Sequence, residues 1–321
     1  MKAIQITQTG GPDVLEYTDV PDPSPGPGQA LVDVTAIGVN YTDVYTRSGL
    51  NPPSLPTIPG VEAAGIVSQL GDDVEEVAVG DLVAYSGVPA SYAEKVVTPS
   101  WRLVKLPEGL DAESGAAVML QGMTAHYLAH DTFPLKPGHV ALIHAAAGGV
   151  GLLLIQMAKA LGAEVIGTVS TREKAELARS LGADDVIVYT EEDFQEKVER
   201  IAGRNGVDVV YDSVGASTFD KSVACLKPRG YMVLYGQASG PVPPVPVSVL
   251  NSKSLFLTRP GLADYTRSRE ELLHRAGDVL ESVRAGNLKV RIHGRFALND
   301  AAVAHMQLES RATTGKLVLI P

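Results

Sequence analysis

The chain has 321 residues, of which 45% are hydrophobic, 20% charged and 5% aromatic, the composition of an ordinary folded protein long enough for two cores. Its net charge of -10 argues against nucleic acid or an anionic membrane surface as a partner, because both demand a basic face that displaces counterions. A single cysteine, Cys225, excludes an intrachain disulfide, no apolar run approaches the ~20 residues of a membrane span, and the opening "MKAIQITQTGG" lacks the apolar core of a signal peptide, so a cytoplasmic location is expected.

Up to about Leu106 the chain reads as short β segments, "ALVDVTAIGV", "VEAAGIVSQL", "GDLVAYSGV" and "YAEKVVTP", separated by Gly, Pro and Asp turns. This half is predicted to be a small, irregular β-barrel. From Asp111 a long helical stretch, "AESGAAVMLQGMTAHYLAH", leads into regular alternation: "VALIH", helix, "EVIGTV", helix, "DVIVY", helix, "VDVVYDSV", helix, "YMVLYG". Such an order specifies a parallel sheet with helices on both faces. The Pro-rich "GPVPPVPVSV" is a loop and "SLFLT" a further strand. A helix near Glu270 to Arg284, "KVRIHGRFAL", another helix and a last strand, "KLVLIP", are read as returning to the β half.

The stretch "HAAAGGVG" joins the first strand of the alternating part to an amphipathic helix. That is the context a dinucleotide fingerprint requires. Gly148 and Gly149 would let the backbone approach a pyrophosphate, Gly151 would let helix and strand pack closely, and the helix N-terminus supplies N–H donors. Ala146 stands where the fingerprint has its first glycine, and a tight turn without a ligand is the plainer alternative. At the end of the second strand NAD binding asks for an acid, but "GTVSTREK" offers Ser170, Arg172 and Lys174, which suits the 2′-phosphate of NADP; Glu173 is the only acid there. One cysteine cannot build a structural zinc site, and the histidines form no ligand cluster: His126 and His130 share a helical face, yet no HExxH surrounds them.

Taken with "GGPDVL", "AIGVNYTDVYTRSGL", "PGVEAAGIV", "VGDLVAY", "VYDSVG" and "ESRATTGKLVLIP", these motifs give a chain that resembles, over nearly its whole length, the zinc-independent quinone oxidoreductases (the ζ-crystallin-like branch) of the medium-chain dehydrogenase/reductase superfamily. The resemblance implies an α/β fold: a Rossmann-type doubly wound parallel sheet, residues 119–264, binding NADP, plus a GroES-like irregular β-barrel catalytic domain, residues 1–118 and 265–321. Zinc-bearing relatives have a Cys where this chain has Asn40 and a His where it has Val61. Glu62 remains, and no metal is expected.

The resemblance assigns catalysis to Asn40, Asp43 and Tyr45. It implies cofactor contacts from Tyr41, Thr42, Val44, Tyr127, Gly148, Gly149, Val150, Gly151, Ser170, Thr171, Arg172, Lys174, Tyr189, Ser213, Tyr235, Gly236, Gln237, Pro260, Gly261, Leu262 and Arg311. The expected activity is reduction of a quinone, or a similarly conjugated carbonyl, by NADPH, with the Tyr45 hydroxyl and the Asn40 amide as donors to the substrate oxygen. An NADPH-dependent enoyl or alkenal reductase and a non-catalytic NADPH-binding protein are the alternatives. "SLFLT" is expected to pair across a two-fold axis in a homodimer, as the family does.

Overall fold

The computed structural model describes residues 1–321, the side chain of Arg204 excepted. The chain divides into two compact units, Met1–Met123 with Thr266–Pro321, and Thr124–Tyr265. In chain order the first unit begins with β1 (Lys2–Gln5), β2 (Glu16–Asp19), β3 (Gln29–Val39), helix α1 (Tyr41–Ser48), β4 (Glu62–Leu70), β5 (Leu82–Ser86), β6 (Lys95–Pro99), β7 (Val104–Lys105) and α2 (Ala112–Tyr127), and the division between the units falls within α2.

The second unit carries β8 (Val140–Ile143), α3 (Gly149–Ala160), β9 (Glu164–Val169), α4 (Arg172–Ser180), β10 (Asp185–Val188), α5 (Phe194–Ala202), β11 (Val207–Asp212), α6 (Phe219–Cys225), β12 (Leu226–Leu234) and β13 (Phe256–Thr258). Its sheet is parallel throughout, in the order β10-β9-β8-β11-β12-β13. Strands covered on both faces read as near-continuous apolar runs. Every residue of "VDVVYD" in β11 is accordingly buried. The strand order reverses between β8 and β11, and such a switch point opens a crevice at the carboxyl ends of the strands.

The chain then closes with α7 (Arg269–Arg284), β14 (Ile292–Ala297), α8 (Ala301–Glu309) and β15 (Lys316–Ile320), all in the first unit. The sheet there runs β14-β15-β3-β4-β5-β7, with β6 also on β3. Two register shifts, at Leu31/Val32 and Val34/Ala36, bend the eleven-residue β3, as bulges do, so that it serves β4, β6 and β15. Its inward side chains, Ala30, Val32, Val34, Ile37 and Val39, pack with Ile4, Ile6, Tyr85, Tyr92, Leu317 and Leu319 in the core. Among the described residues no helix is long and apolar enough to cross a membrane.

Candidate functional site

In the second unit β8 ends at Ile143 and the backbone turns through Ala145, at φ +50°, before Gly148 caps α3 in an extended conformation. The first N–H groups of a helix have no acceptor within it and carry the positive end of its dipole. No acid occupies the first turn of α3. A Cβ on Gly151 would fall 2.4 Å from the Ala145 carbonyl oxygen and 2.8 Å from Ala146 Cα, so only glycine lets α3 lie this close to the turn. Ala146 is accommodated because Gly167 of β9 leaves room: a Cβ there would meet the Ala146 methyl at 2.9 Å. The departure from the glycine fingerprint is therefore matched by a glycine on the neighbouring strand.

The other candidates of this unit follow the carboxyl ends of parallel strands: Ser170 and Thr171 after β9, Tyr189 after β10, Ser213 after β11, Tyr235, Gly236 and Gln237 after β12, and Pro260, Gly261 and Leu262 after β13. Thr171 caps α4, its hydroxyl accepting the Lys174 N–H at 3.3 Å. Arg172 is 78% exposed and forked onto Glu191, at 2.9 to 3.2 Å, so a phosphate would have to share it with that carboxylate. Lys174 is half-buried, and burial lowers its pKa. Glu173 is turned onto its own backbone N–H and the Thr171 hydroxyl, which hold its carboxyl below the usual range. The Gln237 side-chain oxygen accepts from Arg259 at 2.8 Å. Tyr127 is buried and stacked on Tyr265 at 4.2 Å, and burial, with the Tyr235 phenol nearby, raises its pKa.

Beneath this surface lies a buried polar group that sequence reasoning passed over. One oxygen of Asp212, at the end of β11, accepts the N–H groups of Val214 (2.7 Å) and Gly215 (3.0 Å), and the other accepts from the hydroxyls of Thr218 (2.7 Å) and Ser222 (3.3 Å). His144 bridges Thr168 and Ser222 at 2.8 and 2.9 Å. A second acid, after Asp208, in the short and largely apolar run "VDVVYD" was the available signal, since buried charge survives only where it is fully bonded.

In the first unit Asn40 precedes α1, and Tyr41, Thr42, Asp43, Val44 and Tyr45 form its first turns. Asp43 and Arg47, one helical turn apart, share the buried face; Tyr41 and Tyr45 share another, their rings 6.1 Å apart. The Tyr41 hydroxyl donates to the Leu308 carbonyl of α8, and the Arg311 guanidinium, just beyond α8 at φ +59°, opposes the rise that burial imposes on the Tyr41 pKa. The Asp43 carboxylate accepts the Asn40 N–H at 2.8 Å and the Tyr92 hydroxyl at 3.0 Å through one oxygen; the other is buried without a partner. Burial pushes its pKa up to about 7. Tyr92 also meets His305 Nε2 at 3.0 Å, and His305 Nδ1 faces Arg47 at 3.5 Å. Arg47 can only donate, so His305 carries its proton on Nε2 and passes a donor to the Tyr92 oxygen, which in turn donates to Asp43.

Asn40 stands in a second buried cluster. Its amide nitrogen donates to the Gly38 carbonyl (2.9 Å) and to Glu62 (3.0 Å), while its oxygen accepts from Gln121 (2.6 Å) and from the Lys316 ammonium (2.8 Å). Both amide hydrogens are thus committed within the protein, and donation to a substrate oxygen, the role expected for this amide, would sacrifice one of these bonds. Gly38 makes the cluster possible, because a Cβ there would lie 2.3 Å from the Glu62 carboxylate and 2.4 Å from the Ala116 carbonyl. Gly38→Ala is expected to cost about 1–3 kcal/mol by overpacking, measured as the urea midpoint against wild type; an unchanged midpoint would mean the carboxylate can move aside.

A family model described as an alcohol dehydrogenase GroES-like domain matches residues 26–108, and one described as a zinc-binding dehydrogenase matches residues 149–275. A quinone oxidoreductase of Pseudomonas aeruginosa is 46% identical over 100% of this chain and 99% of its own length. A 2-haloacrylate reductase of a Burkholderia species is 44% identical over 99% of this chain and 98% of its own. The solved Escherichia coli quinone oxidoreductase, complexed with NADPH, superposes with a TM-score of 0.98 at 43% identity, each chain covered completely. The zinc named in the second family description does not suit the residues at Asn40 and Glu62. They enclose the Lys316 ammonium, whose charge would oppose a dication, and positions 40 and 61 offer neither thiolate nor imidazole.

Proposed function

We infer the function of this chain from its family: it belongs to the quinone oxidoreductases of the medium-chain dehydrogenase/reductase superfamily, and we propose that it transfers reducing equivalents from NADPH to quinones without a metal ion. The observation that carries this reading is the Gly148–Gly151 turn at the point where the strand order reverses, with the other candidate segments of that unit following strand carboxyl ends. NADPH, when bound, supplies a hydride from its dihydronicotinamide ring. The N-terminus of α3 holds the diphosphate; Ser170, Thr171, Arg172 and Lys174 hold the 2′-phosphate; Tyr127, Tyr189, Ser213, Tyr235, Gly236, Gln237, Pro260, Gly261 and Leu262 complete the contacts.

Within the first unit α1 presents the catalytic residues. Tyr45 is the donor toward the substrate oxygen, Asp43 fixes the start of the helix through the Asn40 N–H, and Asn40 holds the strand end in place through its own amide. Tyr41, Thr42, Val44 and Arg311 belong to the same reading as cofactor contacts. A quinone is a strong electron acceptor, so orientation and exclusion of water supply most of what the reaction needs.

The test is steady-state NADPH oxidation with 1,4-benzoquinone and 9,10-phenanthrenequinone, with and without a chelator. Turnover is expected in both conditions; loss on chelation would overturn the metal-independent mechanism, and no turnover would overturn the activity. Lys174→Ala is expected to raise KM for NADPH about tenfold, the worth of one hydrogen bond to a charged group, and to leave KM for NADH nearly unchanged. Equal effects on the two cofactors would remove the phosphate assignment.

The similarity to the 2-haloacrylate reductase favours a second reading, reduction of an activated alkene, and comparison of 2-chloroacrylate with benzoquinone as acceptors separates the two. The edge strand β13 exposes Phe256 and Leu257, which an isolated sheet edge leaves open to pairing, and a homodimer through this edge is part of the proposal. Sedimentation at the mass of a single chain would exclude it.

A further inference from the structure

Lys316 is the residue on which the Asn40 cluster closes. It begins β15, is 3% exposed, and spends all three ammonium hydrogens on the side-chain oxygens of Asn40 (2.8 Å), Glu62 (2.6 Å) and Gln121 (2.7 Å). The second Glu62 oxygen accepts the Leu120 N–H, and the Gln121 amide nitrogen returns to the Asn40 oxygen. Four segments meet there: the end of β3, β4, α2 and β15.

An asparagine amide has two orientations of nearly equal shape, and its surroundings decide between them. Here a flip of Asn40 would turn its NH2 group against the Lys316 ammonium and the Gln121 NH2, and its oxygen against the Gly38 carbonyl and the Glu62 carboxylate. All four contacts would become repulsive. Without the ammonium, Gln121 loses the donor that fixes its own orientation, the Glu62 carboxylate loses its counter-charge in a site with no exposure to water, and both amides become free to reorient. Burial works against the charge on Lys316, lowering its pKa, and Glu62 opposes that shift.

We propose that Lys316 is a positioning residue for the reduction, a resident cation that locks the amide of Asn40 and thereby the start of α1, which carries Asp43 and Tyr45. It acts through Asn40 and touches neither substrate nor cofactor. The inference rests on the quinone reductase reading above.

The test uses the full-length chain. Lys316→Met removes the charge at similar volume, and Lys316→Ala leaves a space that n-propylammonium can fill. Lys316→Met is expected to lower kcat for quinone reduction ~10²-fold, the scale of a small misplacement of catalytic groups, with KM for NADPH little changed. In 15N-labelled protein the Asn40 side-chain amide, identified by its disappearance in Asn40→Asp, is expected to exchange slowly in wild type and rapidly in Lys316→Met. Adding n-propylammonium to Lys316→Ala is expected to restore kcat by about tenfold, whereas tetramethylammonium, which has no N–H, does not.

Wild-type kcat in Lys316→Met, or an Asn40 amide equally protected there, overturns the proposal. If Lys316→Met does not fold, the amine experiment decides, and folded Lys316→Ala that no alkylammonium restores counts against the lysine. If the wild-type enzyme itself reduces no quinone, the functional reading fails, while the exchange measurement still judges whether Lys316 holds Asn40.

Discussion

Gly151→Ala is expected to weaken NADPH binding at least ~10²-fold, the penalty for displacing a pre-aligned group by about an ångström. The added methyl would meet main chain: the Ala145 carbonyl oxygen at 2.4 Å and the Ala146 Cα and carbonyl carbon at 2.8 Å. Backbone cannot swing aside as a long side chain does. The turn is also pinned, because the Ala146 N–H donates to the Thr168 carbonyl at 3.0 Å and the Gly148 N–H to the Ala145 carbonyl at 2.8 Å. The N-terminus of α3 must therefore move off the end of β8, taking its N–H groups away from the diphosphate. Because the diphosphate is common to both cofactors, NADH binding should fall by the same factor, in contrast to Lys174→Ala, where NADPH alone suffers. Titration of cofactor fluorescence, with circular dichroism as a check on folding, measures this. Wild-type affinity in the alanine variant would show that α3 does not hold the diphosphate.

The second unit was legible because its information is local. The glycine turn, the apolar runs of the buried strands and the polar residues that follow them sit side by side in the sequence, and a parallel α/β order fixes where they gather. The placement of the closing segment with the β half came from the resemblance to the family, not from any local pattern. What the sequence concealed lies in the two polar clusters around α1. Lys316 opens "KLVLIP", where a lysine at the start of a strand reads as solvated, and its partners Asn40, Glu62 and Gln121 come from three distant segments. Glu62 was visible as a carboxylate left over from a metal site; its partner was not. His305 in "AAVAHMQLE" and Arg47 in "YTRSG" look like surface residues, yet both are buried against Asp43 and Tyr92 or their neighbours. Periodicity places a residue on a face, but it says nothing of which polar atom awaits it across the core.

These clusters lead to an expectation about pH, in which two buried groups with opposite signs hide one another. Burial pushes Asp43 from 3.8 up to about 7, so between those values the folded chain keeps a proton that the unfolded chain releases, and stability falls as pH rises through the interval. His305 behaves inversely: burial, then the charge of Arg47, lowers it from 6.5 to about 3, so the unfolded chain takes a proton that the folded one refuses, and stability falls as pH drops through that interval. Each shift spans about three units, or about 4 kcal/mol, and the intervals nearly coincide. The wild-type protein should therefore show little net slope from this pair between pH 4 and about 6.5. The groups facing Asp43 include Tyr92, Lys316, which pulls its pKa down, and Glu62, which pushes it up; all three are shared by the variants and cancel in the comparison. Asp43→Asn removes the first contribution, and its stability relative to wild type should worsen as the solution is acidified. His305→Gln removes the second, and its relative stability should worsen toward neutral pH. Urea denaturation of the three proteins at pH 4.5, 5.5 and 6.5 reads both slopes directly. Three parallel profiles would mean that Asp43 is ionised and His305 titrates normally inside the folded chain, contrary to the sealed Asp43–Tyr92–His305 arrangement.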